Sequence, residues 1–248
     1  MKKETTFLAV PWGESMAKLK RAVSCLLAAV MLLGMCMLVP AASAAETADG
    51  LVYEETSGEI TITGYTGVGG EVEIPAEIAG KPVTEIAQQA FYATSFPAAL
   101  KITKITIPNS VKTMGSAVFF GCSSLQEVVL PEGVSIPSTL SLFKDCTALK
   151  NITIPKNVTE IGIFMFQNCS SLTNVTFSPN NQISTVGTRA FQNCVLLSEI
   201  ILPEKLHLIK TQAFANCTSL SEIILPENLE KIDSLAFENC TNLTDITI

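Results

Sequence analysis

The sequence predicts a repeat solenoid, β-rich, with parallel strands stacked one per unit and short helical turns between them. Three observations carry this. Cys122, Cys146, Cys169, Cys194, Cys217 and Cys240 recur 24, 23, 25, 23 and 23 residues apart. A Phe stands three places before each Cys and a Leu three places after it, from Phe119 and Leu125 to Phe237 and Leu243. Each Leu is followed by an alternating apolar pair, such as Ile152 and Ile154 or Ile223 and Leu225. A fixed period of this length, held in several columns at once, marks an array of one supersecondary unit.

The unit explains itself residue by residue. Leu220-Ser-Glu-Ile-Ile-Leu225 is short and β-branched, which favours a strand. Side chains alternate along a strand, so Ile223 and Leu225 point inward and Glu222 and Ile224 outward. Pro226 donates no main-chain hydrogen bond and ends the ladder. Leu229 and Ile232 form a second, shorter extended stretch. Ser234–Glu238 fits one helical turn that buries Phe237, closed by the side chain of Asn239. A unit of about 23 residues is too small to bury its own apolar side, so neighbours must supply the missing wall. Cruder copies precede the regular ones: Ile102, Ile105, Ile107, Pro108 and Phe119, and before them Ile74, Pro75, Val83, Ile86 and Phe91.

The six cysteines of the repeat stand in one column. Their Cβ atoms are expected at the strand spacing of about 4.8 Å. A disulfide needs roughly 3.8 Å and converging vectors. A buried, reduced ladder follows. No two of these cysteines have the C-x-x-C spacing of a zinc site.

Residues 1–44 stand apart from the repeat. Met16-Ala-Lys-Leu-Lys-Arg21 is basic, Ala22–Val39 is apolar and uncharged, and Pro40-Ala-Ala-Ser-Ala44 offers a small-residue cleavage pattern, together a secretory signal peptide. Cleavage near Ala44 implies a secreted or cell-surface protein without membrane insertion. Met35 before Cys36 argues against lipidation. Residues 45–98 form an N-terminal cap and first repeat, with the Gly-rich Gly64–Gly70 as a loop, and residues 99–248 form the regular repeats, with a period of about 23–25. The chain stops in mid-unit at Ile248, so a truncated gene product, a lost downstream anchor or enzyme domain, and a makeshift cap all stay open. The leader holds five basic and two acidic residues; the rest holds 11 basic and 21 acidic, a net charge near −10. Nucleic-acid binding needs a basic footprint, and none is present.

No catalytic constellation stands out. His207 is the only histidine and replaces a variable residue of one unit. A nucleophile needs a base held by a third group, which one isolated His does not provide. No G-x-S-x-G, H-E-x-x-H, phosphate-loop or EF-hand pattern occurs. The acidic residues fall at variable positions, as on a solvated face. Asn-x-Ser/Thr triplets such as Asn151-Ile-Thr153 follow from the repeat itself. The expectation is a non-enzyme with no cofactor and no metal.

The columns L-x-x-I-x-I-P-x-x-V-x-x-I-x-x-x-A-F-x-x-C-[ST]-x-L closely resemble the bacterial BspA-like leucine-rich repeat family. Glu59–Tyr65 and Ile78–Ile86 look like its usual first units. The resemblance spans residues 59–248 and departs from the pattern at Thr94 and Val134–Leu142. It implies a leucine-rich repeat solenoid, secreted or surface-attached, used in adhesion to host matrix proteins or to other bacteria, with no shared catalytic residues. Such repeats bind through the strand-lined face. Its outward columns here are Lys104, Glu127, Asn151, Asn174, Glu199, Glu222 and Asp245, and Thr106, Val129, Thr153, Thr176, Ile201, Ile224 and Thr247. The candidate protein-binding patch is Glu199, Ile201, Glu222 and Ile224, an apolar pair rimmed by carboxylates. The expected partner is an extracellular matrix or cell-surface protein with a basic edge. The alternative is a structural scaffold or spacer of a longer surface protein.

Overall fold

The computed structural model describes residues 44–136 and 141–247. Residues 1–43 of the leader, with Cys25 and Cys36, lie outside the described residues, as do residues 137–140 within the irregular Val134–Leu142.

The N-terminal cap is antiparallel. Leu51–Thr56 and Glu59–Tyr65 form a hairpin. Ser57 and Gly58 both take positive φ, 56° and 85°. That combination matches the right-handed twist of the flanking strands in a two-residue turn. Glu59–Tyr65 then pairs in parallel with Lys81–Ile86, which pairs in parallel with Thr113–Met114. The antiparallel hairpin thereby hands over to a parallel stack.

Beyond the cap, each unit contributes two extended stretches to two ladders. The first ladder is a five-stranded parallel sheet of Gly70–Glu73, Ile102–Thr106, Glu127–Val129, Asn151–Ile154 and Asn174–Phe177, continued by the pair Glu222–Ile224 and Asp245–Thr247. The second joins Glu160–Ile161, Thr185–Val186, Leu208–Ile209 and Lys231–Ile232, also in parallel. Register follows the repeat, with Ile152 opposite Val175 and Ile223 opposite Ile246. The sequence-derived orientation holds: Ile223 and Leu225 are buried, Glu222 and Ile224 exposed. The apolar columns merge into one continuous core.

The third side of each unit differs from expectation. Ser234–Glu238 and its equivalents form tight turns, not a helical turn; the one helix among the described residues is the 3-10 segment Pro97–Lys101. The reason is where the Phe amides point. Phe166 N–H donates to Ala190 C=O at 2.7 Å, Phe191 to Ala213 at 2.7 Å, and Phe214 to Ala236 at 2.8 Å. These amides bond the next unit, so none is left for an intra-unit helical bond. Two residues per turn take the left-handed conformation, for example Arg189 and Asn193, or Gln212 and Asn216. Asn is the residue that tolerates this best after Gly, and Gly121 holds the same column in an earlier unit with φ of 79°.

Three side-chain stripes run along the stack. The Phe rings from Phe119 to Phe237 stack nearly parallel, with centroids 5.1–5.5 Å apart. Each of the six cysteines of the repeat stays free, and its thiol donates to the Phe carbonyl of the preceding unit, as Cys169 does to Phe143 at 3.1 Å. Burial pushes these thiols upward; that of Cys122 reaches about 12. The third stripe is an asparagine ladder. Asn193 Nδ2 donates to Asn168 Oδ1 (2.6 Å), Asn216 to Asn193 (2.8 Å) and Asn239 to Asn216 (2.9 Å). The side chain of Asn239 therefore ties two units together and does not close its own turn, contrary to expectation. Replacing Asn193 by Ala loses two ladder bonds and strains a left-handed site, an expected cost of about 2 kcal/mol in a urea melt. Asn193→Gly should recover the conformational part of that loss; equal costs for both variants would show that the ladder bonds carry all of it.

Candidate functional site

The strand face presents the two outward columns as the alternation of strand side chains requires. Lys104 lies opposite Glu127, and Asn151 opposite both Glu127 and Asn174. Lys104 and Glu127 form an ion pair at 2.9 Å. Glu127, by hydrogen bond and by charge, holds the Lys104 ammonium above its ordinary value. In the second column Thr153 and Thr176 share a hydrogen bond of 2.8 Å between hydroxyls. The N-terminal half of the face is thus partly paired through its own side chains.

The C-terminal half is not. Ile201 and Ile224 stand side by side, joined by a parallel bridge. They are 79% and 54% exposed, against near-complete burial of their neighbours Ile200 and Ile223. Glu199 and Glu222 flank them, both exposed, and neither has a salt-bridge partner among the described residues. All four residues singled out by the sequence therefore share one surface. Of the other residues weighed, His207 is exposed and its Nδ1 lies 3.0 Å from the Asn228 carbonyl. Among the described residues, no group of three or more His, Cys, Asp or Glu is placed to hold a metal ion, and no helix is long and apolar enough to cross a membrane.

The structure adds one feature that sequence reasoning missed. A rung of main-chain bonds joins successive units at the entry to the strand face: Gln126 N–H to Thr103 C=O (2.8 Å), Lys150 to Gln126 (3.2 Å), Thr173 to Lys150 (2.9 Å), Ser221 to Ser198 (3.1 Å) and Thr244 to Ser221 (3.3 Å). The series skips one step. Among the described residues no main-chain bond links Ser198 to Thr173, and the five-stranded sheet ends at Asn174–Phe177. The other two sides stay closed between the same units. His207 N–H donates to Ser184 C=O at 2.9 Å, Thr185–Val186 pairs with Leu208–Ile209, and the Phe191 and Phe214 rings are 5.1 Å apart. The solenoid is opened on the strand face alone.

A groove of about 690 Å³ occupies this opening. One lip is Asn174–Phe177, the other Glu199–Lys205, and Asn180–Gln182 closes the corner. Lys205 Nζ donates to Gln182 Oε1 across that corner at 2.8 Å. The local cause is legible once the structure is known. This unit is the longest of the series, with 25 residues between Cys169 and Cys194, and Ser178 occupies the place that Pro131, Pro155, Pro203 and Pro226 hold elsewhere. Unlike Pro, Ser178 donates its amide backward, to Ile154 C=O at 2.9 Å. Its buried hydroxyl donates to Glu132 Oε1 at 2.9 Å, two units back. Both bonds hold the strand end toward the preceding units and away from the following one. The irregular spacing and the displaced Pro179 were the available signals.

Comparison with known proteins fits this architecture. A family model described as a BspA type leucine rich repeat region matches residues 84–139 and 135–248, in 6 copies. The crystal structure of a leucine-rich repeat protein of T. pallidum is similar at 31% identity, over 81% of this chain and 92% of that one, with a TM-score of 0.69. A leucine-rich repeat protein from Eubacterium ventriosum is 31% identical over 76% of this chain, with a TM-score of 0.64; the match spans 48% of that longer chain. One from Bacteroides ovatus is 26% identical over 82% of this chain and 64% of its own, with a TM-score of 0.54. No curated protein matches.

Proposed function

This chain belongs to the BspA-type leucine-rich repeat family, and from that premise we propose that it is a secreted or cell-surface protein-binding module that acts without catalysis. Its partner is an extracellular matrix or cell-surface protein, and the contact surface is Glu199, Ile201, Glu222 and Ile224. The observation that carries this reading is the exposure of two adjacent isoleucines on a strand face whose other outward positions are mostly polar. Burying an exposed Ile on binding is worth about 1.5–3 kcal/mol, which leaves these two as the natural anchors. The flanking carboxylates select a partner with a basic edge and speed its approach. The net charge of −7 for the chain argues against nucleic acid and anionic membrane as partners.

The test is a binding screen of the full chain against arrayed matrix and cell-surface proteins at low and high salt. Saturable binding that weakens with salt supports the reading. The double change Ile201→Asp with Ile224→Asp should then weaken binding by at least about 100-fold, roughly 2.8 kcal/mol, while the unfolding free energy from urea melts stays within about 0.5 kcal/mol of the parent. Unchanged binding by a folded double variant would sink the proposed surface.

A further inference from the structure

We propose that the opened strand face takes up an extended polypeptide segment of the partner, which pairs with the free main chain of Asn174–Phe177. This deepens the protein-binding reading and rests on it.

The argument starts from the direction of main-chain groups. In a parallel ladder, the amide and carbonyl of one residue point to the same neighbouring strand, and those of the next residue point to the other. Asn174 N–H donates to Lys150 C=O at 3.2 Å and Ser178 N–H to Ile154 C=O at 2.9 Å. The even-numbered residues therefore face the preceding unit. Val175 and Phe177 face the following one. Continued in register, their amides would donate to the carbonyls of Glu199 and Ile201, as Ile107 N–H donates to Val129 C=O and Leu225 N–H to Thr247 C=O at other units. Here the ladder is interrupted, and among the described residues neither amide has a main-chain acceptor.

The result is a strand edge in the middle of an array. Strand edges pair with other chains unless they are covered or charged, and peptide recognition by strand addition uses such an edge. The free amides of Val175 and Phe177 are two residues apart, the spacing at which an extended peptide presents successive carbonyls to one side. A compact ligand cannot match that repeat along the lip.

Side chains around the groove define the peptide further. Ile201, 79% exposed, offers an apolar contact on the opposite lip. Glu199 and Glu204 are exposed acids on that lip, while the Lys205 ammonium is engaged by Gln182. The fitting segment is extended, carries a β-branched or aromatic residue for Ile201, and has Lys or Arg beside it for Glu199.

The experiment is a selection of linear peptides from a displayed random library on the full chain, followed by amide exchange read residue by residue. In the free protein the Val175 and Phe177 amides should exchange faster than Thr173 and Ser178, which are bonded backward. With a selected peptide held at about 100 times its Kd, exchange at Val175 and Phe177 should slow by about 100-fold. Selected sequences should alternate apolar and basic residues. Val175→Pro removes one donor and should weaken binding at least tenfold, or about 1.4 kcal/mol; if that variant unfolds, the exchange result on the parent decides alone. Peptides that bind and depend on Ile201 and Ile224, yet leave Val175 and Phe177 unprotected, overturn strand addition and leave the side-chain surface standing. Failure of peptides and of the arrayed proteins alike overturns both.

Discussion

Replacing Phe191 by alanine is expected to remove about 3–5 kcal/mol of stability, the range for a fully buried ring. Phe191 is completely buried and lies between two stacked rings, 5.3 Å from Phe166 and 5.1 Å from Phe214. Its removal leaves a cavity that the tight turns cannot close, because their amides donate to the following unit and their carbonyls accept from the preceding one. The position matters as much as the residue. Repeat arrays are stabilised by contacts between nearest neighbours, so a defect in the middle uncouples the units before it from those after it. A whole domain has only about 5–15 kcal/mol to lose. The urea transition should move to lower concentration and separate into two steps. Phe237→Ala, at a half-buried ring with one stacked neighbour, should cost less than half as much and keep one step. A loss below about 1 kcal/mol at Phe191, with one unbroken transition, would show that the aromatic stripe is not the spine of the stack.

Alkali should unfold the protein through its cysteine column. The ordinary thiol value is 9.0, and burial raises that of Cys122 to about 12 and those of Cys146, Cys169 and Cys194 well upward, in each case because the thiolate would lose its water. A group whose value is higher in the folded state favours folding while it is protonated. The stabilisation is therefore complete below 9.0 and is lost as pH rises from 9.0 toward the raised value. In that window each buried thiol lowers stability by about 1.4 kcal/mol per pH unit. Five buried thiols in one cooperative array make the combined slope steep enough to exhaust a typical stability within about two pH units. Urea midpoints recorded from neutral pH upward should be flat at first and then fall. The double change Cys146→Ala with Cys169→Ala should lower the starting stability but make the alkaline slope shallower by roughly 2.7 kcal/mol per pH unit. The difference between the two proteins isolates these two thiols. An unchanged slope would mean that these thiols reach solvent before the chain unfolds.

Most of the architecture was readable from residues alone, and the reason is periodicity. Strand alternation separates Ile223 and Leu225 from Glu222 and Ile224, and one fixed spacing aligns every such pair with its neighbours. The inward stripes of Phe, Cys and Leu, the parallel register and the outward pairing of Ile201 with Ile224 all follow from those two facts. The cysteines could be placed as a free ladder before any coordinates, since strand spacing and disulfide geometry disagree by about 1 Å.

Tertiary structure decided what depends on how one unit meets the next. The turn that buries Phe237 has a local sequence compatible with a helix, but the amides of Phe166, Phe191 and Phe214 find acceptors in the following unit and pull each turn into left-handed corners. Asn239 has the chemistry to close its own turn, yet Asn216 lies one unit away at hydrogen-bond distance and takes its amide instead. The groove between Asn174–Phe177 and Glu199–Lys205 was the least legible. It comes from Ser178 bonding backward across two units to Glu132 while the rings beneath remain stacked. A spacing of 25 says that a unit is long; only the stacked neighbours determine which of its three sides gives way.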